Sequence, residues 1–524
     1  MSSLLIETPN EELHRVSAAA TFPLHHESKF HFKRGMKRSS HPKEDGMDSL
    51  IARELNQLSL KERSTIYEQL HGVATSQVNE TPEKIKELSE QLLLEVKRIR
   101  ERSAFDKALF LSPEYVSDPD FLAMFLRADD YNLKLAARRL VRHFHHKLEL
   151  FGEERIGRPI LFDDLDDDDK DTLRSGRAQM VRGRRDRTGR LIFYSAEGVV
   201  NYKNPINQVR RGGIQCDDLL DRTQKMELLL EQLRAGWYLV MRSLTHDVEA
   251  QKLGLVMVRF CVDAKIFNPE DAELKRKAIF IPGALPYKVM AYHYCYNDMM
   301  AVPAMSITQM LIGMAWRVRF RAHYGSYVEC LYSLMTFGIP KEALPVNIVD
   351  GRPLVDAFLA DNEAEIQLER ERYQQLLGGM DDNHILYPLE NDVLLGRGRP
   401  YQEFSGNKKL ASIIQKRKEE YQASGKLQKT ELTNVILQEI KSSGGRFLKK
   451  SDDGRFWVLV NDDVAREKVS HGFRTKTKKQ NESLIAAFLG LTPETSPSDS
   501  SDMDTSDADS RRKKARVVTS MFEI

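Results

Sequence analysis

The chain has 524 residues, of which 41% are apolar and 30% charged, with a formal net charge of +2. That length points to about two to three domains, and the near-neutral balance excludes attraction of the chain as a whole to nucleic acid or acidic membrane, leaving only local patches. Cys216, Cys261, Cys295 and Cys330 are widely spaced with no C-x-x-C pair, which excludes a disulfide scaffold or cysteine zinc module and favours a reducing compartment.

The start, MSSLLIETPNEELHRV, carries acids early and no basic-then-apolar run, so no signal peptide is expected. Residues 1–47 are polar and aperiodic and are expected to be disordered. Residues 48–112 read as N-terminal helices. Ser59 and Glu62 form a capping-box pair with Ile66 and Leu70 on one face; Thr81-Pro82 starts a second helix with Ile85, Leu88, Leu92 and Val96 on one side. Two further helices follow between Asp120 and Leu150. LFDDLDDDDKDTL (161–173) reads as an acidic surface turn into a short helix.

RLIFYSA (190–196) and LGLVMVRFCVD (253–263) read as strands, the second a continuous apolar run of the kind covered on both faces. The amphipathic stretch QKMELLLEQLRAGWYLVMRSL separates them, and strand, helix, strand predicts an α/β layer with a parallel or mixed sheet. MMAVPAMSITQMLIGMAW (299–316) is uncharged, but it contains Pro303, Ser306, Thr308 and Gln309 and is barely of membrane-spanning length. It reads as a buried helix, so no transmembrane segment is expected.

PDFLAMFLRADDYNLKLAARRLVRHF (119–144), RDRTGRLIFY (185–194), LPYKVMAYHYCYND (285–298) and FGIPKEALPV (337–346) together resemble the CRAL-TRIO lipid-binding family in order and spacing. The resemblance implies, for residues 113–348, a helical lead-in packed on a mixed sheet with an apolar cavity for a lipid or other hydrophobic ligand. No headgroup-binding set carries over, and Leu191 stands where the family has proline after Gly-Arg. Methionine is flexible and polarizable and suits apolar ligand surfaces as well as ordinary cores. The candidate pocket is Val256, Val258, Phe260, Met299, Met300, Met310 and Met314, with Met305 in the same crowded segment.

No catalytic centre is read from the chain. Cys216 and Arg222 have phosphatase-loop spacing, but the intervening DDLLD is acidic and lacks the glycines that present backbone N–H groups to phosphate. His143, His145 and His146 read as a solvated basic helix face, with no acid or cysteine completing a metal set. No strand leads into a G-x-S-x-G or G-x-x-x-x-G-K-[ST] motif. The chain is expected to be non-enzymatic, with no metal and no cofactor.

DNEAEIQLERERYQQLLGG is charged and aperiodic, and 349–387 reads as a helical linker arm. A small α+β module, helix-helix-hairpin-helix, is expected over 388–486. Ser405 is a candidate cap for SGNKKLASIIQKRKEEYQAS, a second helix is read from Thr430 to a stop at Gly444-Gly445, and RFLKKSDDGRFWVLV is a hairpin turning at Ser451–Gly454. A last helix is capped by Asp462 or Asp463. In their elements, though not their order, these resemble small DNA-binding folds of winged type. DVLLGRG, GNKKL, GGRFLK and AREKVSHGFR together resemble an uncharacterised domain of diatoms and related algae, and that resemblance carries no activity.

Residues 391–480 hold 20 Lys and Arg against 11 Asp and Glu, a local excess of 20 − 11 = +9. Such a patch suits nucleic acid or another polyanion, with anionic lipid headgroups as the alternative partner. Arg397, Arg399, Lys408, Lys409, Arg446, Lys449, Lys450 and Arg474 are the candidate anion contacts. Gly396 and Gly398 let the chain turn out of a short apolar segment, Val393 to Leu395, rather than cradling a phosphate, since no Gly-Lys-Ser/Thr follows. The tail 487–524 is low-complexity, acidic and Ser-rich, and is expected to be disordered. It holds Thr492-Pro493, Ser496-Pro497 and a nuclear-import cluster of Arg511, Arg512, Lys513, Lys514 and Arg516. The expected location is intracellular, cytoplasmic and/or nuclear, with peripheral membrane contact open.

Overall fold

A computed structural model describes residues 45–73, 79–196, 222–262, 281–299, 312–347, 354–378, 387–454 and 456–474, with short pieces at 277–278, 302, 305–306, 309–310 and 384–385. Most of 1–47, Cys216, Met300 and the tail with its basic cluster lie outside the described residues. The chain divides into two units, Met1–Asp48 and Ser49–Ile524, and every contact below belongs to the second.

That unit is mixed α/β and mostly helical. Helix α1 (Asp45–Gln57), whose first residues precede the boundary, and α2 (Leu60–Leu70) come first, and the expected capping box forms: Glu62 N donates to Ser59 Oγ and Ser59 N to Glu62 Oε2. Thr81 caps α3 (Pro82–Lys97), with Pro82 leading the helix. Helices α4 (Ser103–Leu111), α5 (Pro113–Ser117), α6 (Pro119–Ala128) and α7 (Leu133–Phe151) follow and bury Leu92, Phe105, Phe125 and Phe144 among one another. The acidic run at α8 (Asp167–Arg174) is not all surface. Asp164 is bound by Arg158, and buried Asp169 accepts from Arg234 Nε at 2.8 Å, because a carboxylate leaving water keeps its charge only beside a cation.

Strands β1 (Ala178–Gln179), β2 (Leu191–Ala196), β3 (Leu255–Cys261), β4 (Val289–Tyr296) and β5 (Phe320–Tyr324) form one sheet in chain order. β2 to β5 are parallel and β1 is antiparallel. Helices α9 (Arg222–Thr245) and α10 (Val248–Leu253) lie between β2 and β3 in the chain, while α11 (Met314–Arg317) and α12 (Tyr327–Met335) flank β5. Strand alternation sends Leu191, Leu255 and Val289 to the face that packs with α3, α4, α6, α7 and α9. Ile192, Val256, Val258 and Phe260 point the other way, into a cluster with Ile66 and Leu70 of α2 and Leu331 and Leu334 of α12. Two covered faces explain the continuous apolar run of β3.

The Asp186–Arg190 turn ties α2 to this sheet. Asp186 accepts from Arg190 N at 2.8 Å and Arg190 Nε at 2.6 Å, and Arg190 reaches Gln69 O. In the lead-in, Arg127 Nε donates to Glu80 Oε1 at 2.9 Å. Burial drives the Glu80 carboxyl up, but hydrogen bonds from Arg127 and Tyr131 and the arginine charge outweigh it and bring it down to about 2.

The expected linker arm is helix α13 (Asp356–Gly378), and it is packed rather than free. Phe358 and Ile366 are buried in the central core, Glu369 accepts from Phe162 N at 2.8 Å, Glu365 pairs with Arg182 at 3.1 Å and Arg370 with Asp163 at 2.8 Å. Charged residues misled the sequence reading because Glu365, Glu369 and Arg370 each meet an opposite charge or a backbone donor on the domain the helix crosses.

The C-terminal module gains two strands beyond the expected hairpin. β6 (His384–Ile385), β7 (Val393–Leu395), β8 (Phe447–Lys450) and β9 (Trp457–Leu459) form a sheet of order β6-β9-β8-β7, with β7 and β8 parallel. Helices α14 (Arg399–Glu403), α15 (Ser405–Lys416), α16 (Lys418–Ala423), α17 (Lys426–Ser442) and α18 (462–474) complete it. The caps differ from expectation. Ser405 lies inside its helix and donates to Glu390 O, α17 starts at Lys426 rather than Thr430, and Asn461, not Asp462 or Asp463, accepts from Val464 N at 3.0 Å. Gly444, at φ +77°, ends α17 as read.

One sheet face carries Val393 and Phe447 into a core with Leu410, Ile436, Val469 and Phe473. The opposite face, with Leu394, Leu448 and Trp457, joins the core of the central domain at the C-terminus of α4. Trp457 Nε1 donates to Leu111 O at 2.9 Å and Lys450 Nζ to Phe110 O at 2.7 Å. Carbonyls at a helix C-terminus lack intrahelical donors and carry partial negative charge, so an indole N–H and an ammonium are matched partners.

Candidate functional site

The loop 389–409 is organised by Asp392, a fully buried acid in a basic module. Its Oδ1 accepts from Arg446 N at 2.8 Å and Arg446 Nε at 3.1 Å, and its Oδ2 from Leu389 N and Arg446 Nη2, each at 2.7 Å. Asn407 then serves the free edge of β7: Leu394 N donates to its Oδ1 at 2.7 Å and its Nδ2 donates to Leu394 O at 2.9 Å. An amide side chain thereby replaces a missing neighbouring strand.

The glycines allow close approach. A Cβ at Gly406 would lie 2.0 Å from Asp392 O, one at Gly445 2.4 Å from Asn391 O, and one at Gly396 2.1 Å from the Tyr401 ring. Gly398 has φ +102°. The motif is therefore a clasp, with Gly398 at the start of α14.

The eight expected anion contacts separate into groups. Arg397, Arg399, Lys408 and Lys409 are exposed on the clasp. Arg399 Nε pairs with Glu403 Oε1 at 2.5 Å, and Lys409 Nζ donates to Ser443 Oγ at 3.0 Å and Asn391 Oδ1 at 3.2 Å. The hydrogen bond from Arg399, then its charge and that of Lys408, hold the Glu403 carboxyl below its ordinary range. Lys449 is exposed on the hairpin and Arg474 on α18. Arg446 is committed to Asp392. Lys450 faces inward, with its ammonium 4.9 Å from the centre of the Phe110 ring and 5.5 Å from that of Trp457. Burial lowers its pKa. Asp392 escaped the sequence reading, although a single acid ahead of an apolar run in a basic segment was a usable signal.

Among the described residues, the expected ligand set in the central domain comes together only in part. Val256, Val258, Phe260 and Met314 share the cluster beneath α2 and α12. Met299 and Met310 are each 57% exposed, and Met305 packs separately with Cys261, Tyr294 and Phe320. A cleft of about 360 Å³ between the domain and α13 is lined instead by ionic residues such as Arg158, Asp163, Asp164 and Arg370, and these pair with one another.

His143 is not on a solvated face. It is buried against Phe121, Phe125, Phe144 and Trp237, and burial first, then the charge of Lys147, hold its pKa well below the usual value. Glu149 does approach His145 and His146, their ligand atoms lying within 4.8 Å of one another. Glu149 is also bound by the Lys277 ammonium. Among the described residues no helix is long and apolar enough to cross a membrane.

Residues 392–475 match the model of a family described as "Domain of unknown function (DUF6824)". No curated protein matches the chain. A solved structure described as "Crystal structure of Sfh5" is similar over 57% of this chain and 100% of that chain, at 9% identity and a TM-score of 0.32. A likeness of that degree decides nothing about ligand or mechanism. The C-terminal region matches an uncharacterised domain family, as its motifs anticipated, and the central region is described by its own mixed α/β architecture.

Proposed function

We propose that this chain is a non-enzymatic intracellular binding protein whose basic C-terminal module engages nucleic acid or another polyanion, while its central domain takes an apolar or lipid ligand. The observation that carries the first half is the exposed rim of Arg397, Arg399, Lys408 and Lys409, held on a clasp whose backbone is fixed by Asp392 and Asn407. Cations on a pre-ordered loop give up little conformational freedom when they meet a phosphate backbone. The second half rests on the sequence resemblance of residues 113–348.

The test is fluorescence anisotropy of the full chain with short duplex DNA across a salt series, beside flotation with phosphoinositide liposomes. Salt-sensitive DNA binding that Arg397→Glu/Arg399→Glu weakens supports the proposal. Binding to liposomes but not to DNA would turn it into the headgroup-binding alternative. A lipid retained by protein purified from its own cells, seen in native mass spectrometry, tests the central domain.

A further inference from the structure

Away from the clasp, the C-terminal module carries a cleft of about 590 Å³ where the end of α16, the first turn of α17 and one side of α18 meet. Lys426, Lys429 and Arg466 line it against a single acid, Glu467, with Ser424 and Ser470 adding hydroxyls. Arg466 is pre-oriented by Asp463 and by Asn434 Oδ1 at 3.3 Å. The residue capping α17 is Gly425, which has no side chain to accept from the first-turn N–H groups, so the helix end adds donors to the cations.

The wall also says what does not bind. Tyr421 is stacked on Phe473 at 3.9 Å and 1° between planes, and the Lys429 ammonium sits 5.4 Å from its ring centre. The ring is engaged within the module rather than offered to a nucleobase. The volume falls within the range of about 300–1,000 Å³ usual for small-molecule pockets, so a bare phosphate would fill only part of it. Two net positive charges in a cleft of that size fit a phosphate monoester, about −1.5 to −2 at neutral pH, carried on a larger body.

We propose that this cleft is a receptor for a phosphate monoester. One source lies in the chain itself: Thr492-Pro493 and Ser496-Pro497 come 18 and 22 residues after Arg474, where α18 ends, a length of chain that can span up to roughly 60 Å. A soluble phosphorylated molecule presents the same group.

Full-length protein produced without kinases is titrated calorimetrically with three probes. These are a peptide of residues 488–502 phosphorylated at Thr492 and Ser496, the same peptide unmodified, and inositol hexakisphosphate. A phosphorylated probe is expected to bind at least tenfold more tightly than the unmodified peptide. Lys426→Gln/Lys429→Gln is expected to remove that advantage, and Arg397→Glu/Arg399→Glu to leave it in place. A response to the phosphopeptide identifies the tail as the source; a response to inositol hexakisphosphate alone identifies a soluble ligand. Lys426 is exposed and Lys429 half-buried, so the double variant should fold, and circular dichroism checks this. The proposal is overturned if neither phosphorylated probe binds better than the unmodified peptide, or if the lysine variant binds as the parent does. The two arginines and the two lysines report on different sites, so either proposal can fail alone.

Discussion

Replacing Trp457 with Phe tests whether the C-terminal module is a docked part of the molecule or a passenger. Trp457 is fully buried, donates to Leu111 O at 2.9 Å and packs edge-on to Phe110 at 5.9 Å and Tyr401 at 6.4 Å. Phenylalanine keeps an aromatic ring but leaves the Leu111 carbonyl without this donor, costing about 1–3 kcal/mol. The smaller ring adds about 1 kcal/mol for the space left behind. The expected loss is therefore about 2–4 kcal/mol, with Trp457→Ala at or beyond the upper end.

The chain contains 3 tryptophans, and the two left in the variant, Trp237 and Trp316, sit in the central domain. Their fluorescence during urea unfolding reports on that domain alone. If the module is docked as described, their transition moves to lower urea although the substitution lies in the other domain. If their midpoint stays where it was while far-ultraviolet circular dichroism shows a separate early transition, the docking surface contributes no coupling and the reasoning fails.

Three further outcomes follow from particular contacts. Asp392→Asn leaves Arg446 without its carboxylate and should destabilise the module by about 3–5 kcal/mol; Gly406→Ala should do comparable damage by forcing its methyl onto Asp392 O, and thermal unfolding of both checks this. His323 lies 2.9 Å from His293, and burial, with the charge of Arg321 adding to it, lowers its pKa to about 4. Unfolded histidine titrates near 6.5, so the unfolded chain takes up a proton first and stability falls as pH drops from about 6.5 towards 4, by about 2 kcal/mol between pH 7.5 and 5 from this group. Urea midpoints at those two pH values should differ less in His323→Gln than in the parent. In the DNA experiment, Arg397→Glu/Arg399→Glu should lower the slope of log affinity against log salt by about 1–2, since each lost phosphate contact removes about 0.9; an unchanged slope places the contact elsewhere.

Local features were read correctly where local chemistry decides them. Ser59 and Glu62 sit within one turn of each other and form their box regardless of what lies beyond, and the turn at Ser451–Gly454 reverses the chain between β8 and β9. The apolar run of β3 announced a strand covered on both faces. Caps were missed where a neighbouring residue competed. Asn461 precedes two aspartates with the same capability, and Ser405 was drawn to Glu390 O across the loop. In the Met-rich segment, Met299 and Met310 are exposed while Met305 and Met314 pack in different clusters, because composition shows which residues avoid water but not whether they share a face.

By itself, the sequence determined the periodicities, the helix starts at Ser59 and Thr81, the hairpin and the local charge excess, all of which depend on residues within a few positions of one another. Only the tertiary structure decided which cations remain at the surface. Arg446 is spent on Asp392, 54 residues away, and Lys450 on Phe110 O, 340 residues away, whereas Arg397, Arg399, Lys408 and Lys409 stay exposed. Charge is a property of a residue, but its availability is a property of what the folded chain brings beside it.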